Sequence, residues 1–315
     1  MAKSTPFGAH STADQVLAGV DLWGKRYVVT GCNSGIGLET MNALSANGAQ
    51  VIGLARSIED ARAACRDAGP HAIPIACDLA DLDSVAAAAD AIQALPGSLD
   101  AIVANAGIAN LPTLQLEYGI ERQFLVNHIG HFSLVNLLAD RVRDGTGRIV
   151  IVSSSAGVHH APAGGIMFDN LDGRRFYKPL AFYGQSKFAN ALFAKELSRR
   201  LAGRGIMVNS LHPGATRGTR LNRDASLGFR ITLSAAQVFM RTPAQGAATQ
   251  ALLAASPRAS GITGEYWVNC RIAAGNPLLQ DADLAGRLWS ASQEIVARRG
   301  AEIAARRGLR MSEAA

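Results

Sequence analysis

Short apolar runs alternate with longer amphipathic or alanine-rich runs along most of this chain, and this alternation constrains the fold more than any other feature. The short runs have the length and composition of strands, and the longer runs have those of helices. Alternation at this spacing predicts an α/β fold with one doubly wound parallel sheet and helices on both faces. We predict strands over residues 27–30, 50–54, 73–76, 99–103, 148–152, 206–211 and 266–268. We predict helices over residues 36–46, 58–68, 82–95, 114–143 and 181–201, with Gly119 and Gly130 as candidate breaks in the long helical region 114–143.

A glycine-rich turn, TGCNSGIG at residues 30–37, lies between the first predicted strand and the first predicted helix. Glycines there let the backbone turn sharply and approach a pyrophosphate closely, and the following helix offers free N–H groups to the phosphates. The alternative is a plain strand–helix turn, which the position at the start of a βαβ unit disfavours. The turn therefore predicts a Rossmann-type dinucleotide site with contacts from Gly31, Asn33, Ser34, Gly35, Ile36 and Gly37.

The end of the second predicted strand bears on which dinucleotide binds. An NAD-selective site has a carboxylate there, about 20 residues after the turn, to bind the ribose 2′-hydroxyl. This strand is followed instead by Arg56, whose guanidinium can bind a 2′-phosphate in fork geometry. The alternative is a solvated surface arginine, so the sequence favours NADP(H) and leaves NAD(H) open.

Three polar residues suggest acid–base chemistry beside that turn. Tyr183 and Lys187 lie four residues apart on a predicted helix, so they share one face. A free tyrosine has a pKa of about 10, and a nearby ammonium would lower it toward the range of a general acid/base. Ser154 follows the fifth predicted strand, where a hydroxyl can donate to a substrate oxygen. The alternatives are a surface Tyr–Lys pair and serines that only cap a turn.

Together these motifs resemble those of the short-chain dehydrogenase/reductase family over about residues 11–297. Residues 30–37 match the family's TGxxxGxG turn, and YGQSK at 183–187 matches its YxxxK pair. Further matches are DL at 78–79, NAG at 105–107 and PG at 213–214. The likeness is greatest to retinol dehydrogenase-like reductases, through NSGIGLET at 33–40, VNHIGHF at 126–132, HPG at 212–214 and GEYWV at 264–268.

The resemblance implies an NAD(P)-dependent oxidoreductase that acts on alcohol and carbonyl groups. It implies that Tyr183 is the proton donor or acceptor, and that Lys187 lowers the pKa of Tyr183 and holds the nicotinamide ribose. It also implies that Ser154 orients the substrate oxygen and that Asn127 holds a water of a proton relay. The loop before Thr219 is one residue longer than the usual pattern, and Ala104 replaces the first Asn of an NNAG form. The further implied cofactor contacts are Asp78, Leu79, Asn105, Ala106, Gly107, Tyr183, Pro213, Gly214 and Thr219.

Two segments interrupt the alternation, residues 157–180 and 215–243, and long insertions in compact domains are usually functional. We expect their apolar side chains to form the wall of a substrate pocket, although several of them would serve equally well in the core. A second interpretation makes residues 229–240 an amphipathic lid or a membrane-surface helix. The wall predicts a bulky apolar alcohol, aldehyde or ketone of retinoid, steroid or aromatic type. The wall residues are Ile166, Met167, Phe168, Phe176, Tyr177, Leu221, Leu227, Phe229, Ile231, Leu233, Val238, Phe239 and Met240.

Composition limits the partners and the compartment. Hydrophobic residues make up 48% of the chain and charged residues 18%, as in globular proteins with a large core. The net charge is +6, but no aromatic residues interleave with a basic stripe, so nucleic-acid binding is not expected. The sequence contains no apolar run of membrane-spanning length, no secretory signal pattern and no CxxC among its 4 cysteines. We expect a cytoplasmic protein with reduced thiols, no membrane partner and the homo-oligomeric state typical of relatives.

The histidines invite a metal site, which we do not expect. His128 and His131 flank Asn127 on a helix without a carboxylate cluster, so they should pack inside the fold. We expect His159 and His160, in the insertion after Ser154, to line the substrate entrance.

We divide the chain into an N-terminal extension (residues 1–20), a single dinucleotide-binding catalytic domain (21–297) and a basic C-terminal tail (298–315). Two other functions stay open on sequence grounds. A cofactor-binding regulator or scaffold would keep the pocket without turnover, and the intact serine, tyrosine and lysine argue against it. A sugar-nucleotide epimerase would use a related Tyr–Lys pair, but the sequence lacks the TGxxGxxG turn and larger C-terminal domain of such enzymes.

Overall fold

The computed structural model describes residues 5–226 and 240–313, with side chains through residue 299. In this part of the chain eight strands form one sheet, and two short strands form a separate hairpin. The strands are β1 (Arg26–Thr30), β2 (Gln50–Ala55), β3 (Ile73–Ala76), β4 (Ala101–Ala104), β5 (Leu116–Glu117), β6 (Ile120–Glu121), β7 (Arg148–Val152), β8 (Met207–His212), β9 (Tyr266–Val268) and β10 (Arg271–Ile272).

The strand order is β3-β2-β1-β4-β7-β8-β9-β10, and every pair is parallel except β9 with β10. The predicted doubly wound parallel sheet is therefore confirmed. The chain runs outward from β1 to β3 and then returns to the other side of β1 with β4. Such a reversal of strand order opens a crevice at the carboxyl ends of β1 and β4.

Helices cover both faces of this sheet. One face carries α1, α2, α3 and α9, and the other carries α4, α6, α8 and α10. Neighbouring residues of β1 divide between the faces, because Val28 packs with the second group and Val29 with the first. The helices are α1 (Ala13–Leu17), α2 (Gly35–Ala46), α3 (Ile58–Ala68), α4 (Leu82–Gln93), α5 (Arg122–Phe124), α6 (Gly130–Leu138), α7 (Ser155–His159), α8 (Pro179–Arg200), α9 (Pro243–Ala255) and α10 (Ala282–Glu313).

The long helix predicted over residues 114–143 is wrong in its first third. Residues 116–121 form the β5–β6 hairpin, because Tyr118 and Gly119 both have positive φ, 54° and 73°, as a tight two-residue turn requires. A π-helical segment, Leu125–Ile129, then joins α5 to α6. The predicted break at Gly130 does not occur. Glycine is needed there because a Cβ would lie 2.9 Å from Leu79 Cβ and would overlap the Leu79 carbonyl oxygen.

The two segments set apart as an extension and a tail are continuous with the domain. In α1, Ala13, Val16 and Leu17 are buried against α2 and α9, so this helix belongs to the main core. The predicted boundary at residue 298 falls inside α10, which runs without interruption from Ala282 to Glu313. Apolar periodicity does not predict α1, α9 or α10, because these segments are short or rich in alanine and carry few large apolar side chains at helical spacing.

Trp289 anchors α10 to the sheet-covering helices. Its ring centroid lies 5.0 Å from that of Phe132 and 5.9 Å from that of Phe193, and the Arg200 guanidinium lies 4.0 Å above it. Trp289→Ala should lower the free energy of unfolding by about 3–5 kcal/mol, because it leaves a cavity among these rings. Urea unfolding measures this change.

The matched control is Trp23→Ala, because the Trp23 side chain is 72% exposed. That variant should stay within about 0.5 kcal/mol of the unsubstituted protein. Equal losses from both variants would show that Trp289 does not anchor α10.

Candidate functional site

A cleft of about 620 Å³ opens at the carboxyl ends of β1, β2, β4, β7 and β8. This is the crevice that the strand order predicts. Most of the residues selected from the sequence line it, although they come from segments far apart in the chain. The selected residues that line the cleft are Gly31, Asn33, Ser34, Ile36, Gly37, Arg56, Asp78, Leu79, Asn105, Ala106, Gly107, Ser154, Tyr183, Lys187, Pro213, Gly214 and Thr219.

The glycine turn is compact because three of its positions accept only glycine. Gly31 and Gly35 have positive φ, 67° and 53°. A Cβ on Gly37 would lie 2.5 Å from Asn105 Nδ2 and would overlap the Gly31 carbonyl oxygen. Ser34 is the N-cap of α2, yet its side chain accepts no hydrogen bond from the first turn. The first N–H groups of α2 therefore keep their capacity to bind an anion, which fits a dinucleotide phosphate.

Three of the selected residues lie on the side of the cleft formed by β2 and β3. Arg56 follows Ala55, the last residue of β2, and its side chain is exposed at the cleft. Asp60, from the first turn of α3, lines the same region, so both signs of charge are present there. Asp78 accepts a hydrogen bond from the Ala80 N–H at 3.0 Å, which fixes the turn after β3 beside the buried Leu79.

Two glycines set the position of Tyr183 and Lys187 by letting α7 pack closely against α8. A Cβ on Gly157 would lie 2.7 Å from Phe188 N, and one on Gly184 would lie 2.5 Å from the carbonyl carbon of His160. This approach brings Ser154, the N-cap of α7, to the face of α8 that carries the Tyr–Lys pair. Ser154 Oγ accepts from Ala156 N at 3.2 Å, so the serine does cap a turn and also lines the cleft.

Burial shifts both titratable groups of the pair. It raises the pKa of Tyr183 to about 12, and a hydrogen bond with Ser154 opposes this rise. It lowers the pKa of Lys187 to about 8. The net shift of the Tyr183 pKa is therefore upward in the protein by itself, and the lowering by Lys187 stays a prediction. Loss of hydration outweighs other effects, and the Lys187 ammonium donates to the Val152 carbonyl at 3.0 Å.

Asn127 lies behind the cleft rather than on its surface. It is fully buried in the π-helical segment, where its Oδ1 accepts from Ile108 N at 2.9 Å and its Nδ2 donates to Ile108 O and to Ser186 Oγ, both at 2.9 Å. A Cβ on Gly107 would lie 3.0 Å from Asn127 Oδ1 and 3.3 Å from Lys187 Nζ. The amide oxygen and the ammonium therefore both border this glycine.

The loop after β8 reaches back to the glycine turn. A Cβ on Gly35 would lie 3.1 Å from Thr219 Cγ2, so Thr219 lies directly over the start of α2. Sequence reasoning missed Arg241, which holds this loop in place. Its guanidinium donates to Pro213 O at 3.2 Å and to Asn269 Oδ1 at 2.5 Å. No sequence motif marks Arg241, because its partners lie 28 residues away on each side.

Few of the residues predicted to form the apolar wall lie in the apolar part of the cleft beside Tyr183. Ala109, Ala156 and Tyr183 form a small buried cluster, and Leu221 packs against it. Met240 also lines the cleft, so two of the predicted wall residues are there. The other predicted wall residues after position 226 (Leu227, Phe229, Ile231, Leu233, Val238 and Phe239) and most of the proposed lid lie outside the described residues.

The first insertion, residues 157–180, does not form the predicted wall. Ile166 and Phe168 pack into a core cluster with Phe188. Met167 N donates to Gln185 Oε1 at 2.8 Å, and the Tyr177 hydroxyl donates to Leu111 O at 2.8 Å. Phe176 is exposed and lies away from the cleft. The insertion instead supports α8, because its backbone carries the tight contact at Gly184 described above.

Two of the four histidines considered in the sequence analysis are buried and two are exposed. His128 and His131 are fully buried, which confirms the expectation that they pack inside the fold. His159 and His160 are exposed and are not among the residues that line the cleft, so their place at its entrance stays a prediction. Among residues 5–226 and 240–299, no three His, Cys, Asp or Glu side chains are arranged to hold a metal. The described helices include none with the length and apolarity to cross a membrane.

Comparison with known sequences identifies the family. The model of the short chain dehydrogenase family matches residues 25–167. Short-chain dehydrogenase TIC 32 B, chloroplastic, of Brassica napus is 36% identical over 304 residues, which cover 92% of this chain and 94% of that protein. Human retinol dehydrogenase 14 is 36% identical over 295 residues, which cover 87% of this chain and 86% of that protein.

Solved structures give the same result. A putative uncharacterized protein from Mycobacterium paratuberculosis has a TM-score of 0.72 and 30% identity, over 91% of this chain and 97% of that one. A short chain dehydrogenase from Burkholderia cenocepacia in complex with NADP has a TM-score of 0.61 and 29% identity, over 78% and 96% of the two chains. The protein belongs to the short-chain dehydrogenase/reductase family, whose members are oxidoreductases that act on alcohol and carbonyl groups.

Proposed function

We propose that this enzyme transfers a hydride between NADP(H) and a bulky apolar alcohol/carbonyl pair, with Tyr183 as general acid/base. One observation carries the proposal. The glycine turn with its open helix N-terminus and the Ser154–Tyr183–Lys187 group border one continuous cleft. A dinucleotide extended along this cleft would reach from the turn after β1 to the Tyr–Lys pair.

The residues of the cleft fit such a cofactor. The α2 N-terminus and the turn formed by Gly31, Gly35 and Gly37 would hold the pyrophosphate, and Lys187 would donate to the nicotinamide ribose. The bound nicotinamide supplies or accepts the hydride, and the protein supplies position and electrostatics. Ser154 would donate to the substrate oxygen, and the buried Asn127 would hold a water that links Lys187 to solvent.

Tyr183 is suited to give its proton to a carbonyl oxygen during reduction. Burial keeps its pKa near 12, so the phenol stays protonated at neutral pH until a substrate oxygen gains charge. The Ser154 hydrogen bond works against that shift and stabilises the phenolate left after proton transfer. Lys187, with a pKa near 8, keeps most of its positive charge at neutral pH.

The preference for NADP(H) rests on Arg56. Its guanidinium lies at the cleft just after β2, where a carboxylate would favour NAD(H). Solved relatives show that the family takes either cofactor. The Burkholderia enzyme is in complex with NADP. A 3-ketoacyl-(acyl-carrier-protein) reductase from Brucella melitensis is complexed with NADH, and it is 26% identical to this chain with a TM-score of 0.61 over 78% of this chain and 96% of that one. Arg56 is therefore the residue of this chain that favours NADP(H).

The substrate class rests on the surface beside Tyr183. Ala109, Ala156 and Leu221 surround the phenol with apolar groups, so a substrate carbonyl that reaches it should carry apolar substituents. Human retinol dehydrogenase 14, which covers most of this chain, is named for such an alcohol. We infer a retinoid-, steroid- or aromatic-type substrate.

A panel of apolar and polar carbonyls and alcohols with NADPH and NADH, followed at the reduced-nicotinamide absorbance, should show turnover of the apolar carbonyls. With the best substrate, Tyr183→Phe should lower kcat by about 10²- to 10⁴-fold, because the proton donor is lost. The dinucleotide Kd should not change. The control is Tyr27→Phe, because Tyr27 lies near the amino end of β1, away from the cleft. Bound dinucleotide without turnover of any substrate would favour a regulatory or scaffold protein.

Carbonyl reduction should have an alkaline limb set by Lys187. The pKa of Lys187 is near 8 and that of Tyr183 near 12, so kcat/KM should fall above about pH 8 as the ammonium is lost while the phenol stays protonated. Lys187→Arg should be slower but should lack this limb, because a guanidinium keeps its charge. A limb near pH 8 that persists in Lys187→Arg would assign it to another group.

Arg56→Ala should weaken NADPH binding by about 10- to 100-fold, because a charge-assisted hydrogen bond to the 2′-phosphate is lost. NADH binding should stay close to that of the unsubstituted enzyme. Isothermal titration calorimetry with both dinucleotides measures the two constants. Arg62→Ala is the matched control, because Arg62 is an exposed residue of α3 that does not line the cleft. Equal weakening of NADH and NADPH would contradict the proposed 2′-phosphate contact.

A further inference from the structure

A chain of buried hydrogen bonds joins the glycine turn to Asn127 through a histidine. Thr30, the last residue of β1, is 1% exposed, and its Oγ1 accepts from Asn105 N and from Ala106 N, both at 2.9 Å. The same Oγ1 lies 2.8 Å from His131 Nε2. His131 Nδ1 lies 2.9 Å from the Asn127 carbonyl oxygen. His131 itself is fully buried.

Donor and acceptor chemistry fixes every proton in this chain. Backbone N–H groups only donate, so the two amides occupy both lone pairs of the Thr30 hydroxyl. Its single proton must then go to His131 Nε2, which therefore carries no hydrogen. The Asn127 carbonyl only accepts, so His131 Nδ1 must carry the ring proton. Burial lowers the pKa of His131 to about 4, which agrees with this neutral tautomer.

Both ends of the chain belong to the proposed site. Asn105 and Ala106 border the glycine turn closely, because a Cβ on Gly31 would lie 3.1 Å from Ala106 Cα and 3.2 Å from Asn105 Nδ2. At the other end, the Asn127 carbonyl belongs to the π-helical segment, a kind of irregular turn that often marks functional sites. A shift of Thr30 would therefore displace the backbone against which the turn packs.

We propose that His131 is a positioning residue, which accepts from Thr30 and donates to Asn127 and so holds the dinucleotide turn and the Asn127 segment in register. The inference rests on the proposed function, because it assumes that the turn binds a dinucleotide. His131 does not line the cleft and acts through its two partners. The sequence alone hides this role, because Thr30 and His131 lie 101 residues apart.

The test is the dinucleotide Kd of His131→Phe, measured by calorimetry on the whole chain. The phenyl ring keeps the bulk but leaves the Thr30 hydroxyl without an acceptor and the Asn127 carbonyl without this donor. We expect NADPH binding to weaken by about tenfold. The matched control is His128→Phe, because His128 is an equally buried histidine of the same segment whose Nε2 lies 2.9 Å from Ser292 Oγ instead. Both variants should lose stability in urea, but only His131→Phe should lose affinity.

Two further variants separate the two hydrogen bonds and serve if His131→Phe does not fold. His131→Gln can place an amide oxygen near the position of Nε2 and accept from Thr30, whereas His131→Asn can donate from near the position of Nδ1 to Asn127. Since the turn is held through Thr30, His131→Gln should recover more of the dinucleotide affinity than His131→Asn does.

A double-mutant cycle with Thr30→Val completes the test. If His131 acts through Thr30, the combined variant should bind NADPH about as weakly as Thr30→Val alone, because Thr30→Val already removes the His131 contact together with the acceptor of Asn105 N and Ala106 N. Unchanged affinity in His131→Phe, equal affinity of the Gln and Asn variants, or additive losses in the cycle would overturn the inference. Failure of the unsubstituted protein to bind either dinucleotide would instead refute the proposed function.

Discussion

The close approach of two backbone segments, the turn after β1 and the loop after β4, is the constraint on which the cleft depends. Gly37 lets the first turn of α2 pass over the Gly31 carbonyl, and the Asn105 side chain donates to Thr30 O at 2.8 Å from the other side. Any side chain at residue 37 would force these segments apart. Because β1 and β4 are neighbours at the reversal of strand order, this contact sets the floor of the crevice.

The electrostatics of the site follow from the same close packing. Glycines at 157 and 184 bring α7 against α8, and burial of the Tyr–Lys pair raises the pKa of Tyr183 and lowers that of Lys187. The buried ammonium of Lys187 is compensated by the Val152 carbonyl, which also accepts from Asn190 Nδ2 at 3.1 Å. A phenol buried in this way ionises near neutral pH only when a ligand alters its surroundings.

Polar side chains far from the cleft surface connect its parts. Gln250 of α9 is fully buried and donates to Ile36 O at 3.2 Å, and it also contacts Thr40 and Asn105. It thereby ties α9 to α2 and to the loop after β4. Together with His131 it places the glycine turn between two buried polar groups, one on each face of the sheet. The Gln250 amide nitrogen and both ring nitrogens of His131 have buried hydrogen-bond partners, and such bonds favour one arrangement of the surrounding elements.

The sequence by itself determined what depends on local spacing. Alternating short and long runs predicted the parallel sheet, the TGxxxGxG pattern predicted a glycine turn into the start of α2, and four-residue spacing put Tyr183 and Lys187 on one helical face. These inferences hold because backbone geometry fixes the period of helices and strands. Tertiary structure decided what depends on which distant segments meet. It buried the insertion around Ile166, turned residues 116–121 into a hairpin, raised the pKa of Tyr183 by desolvation and joined Thr30 to His131, since burial and long-range hydrogen bonds leave no periodic trace in the chain.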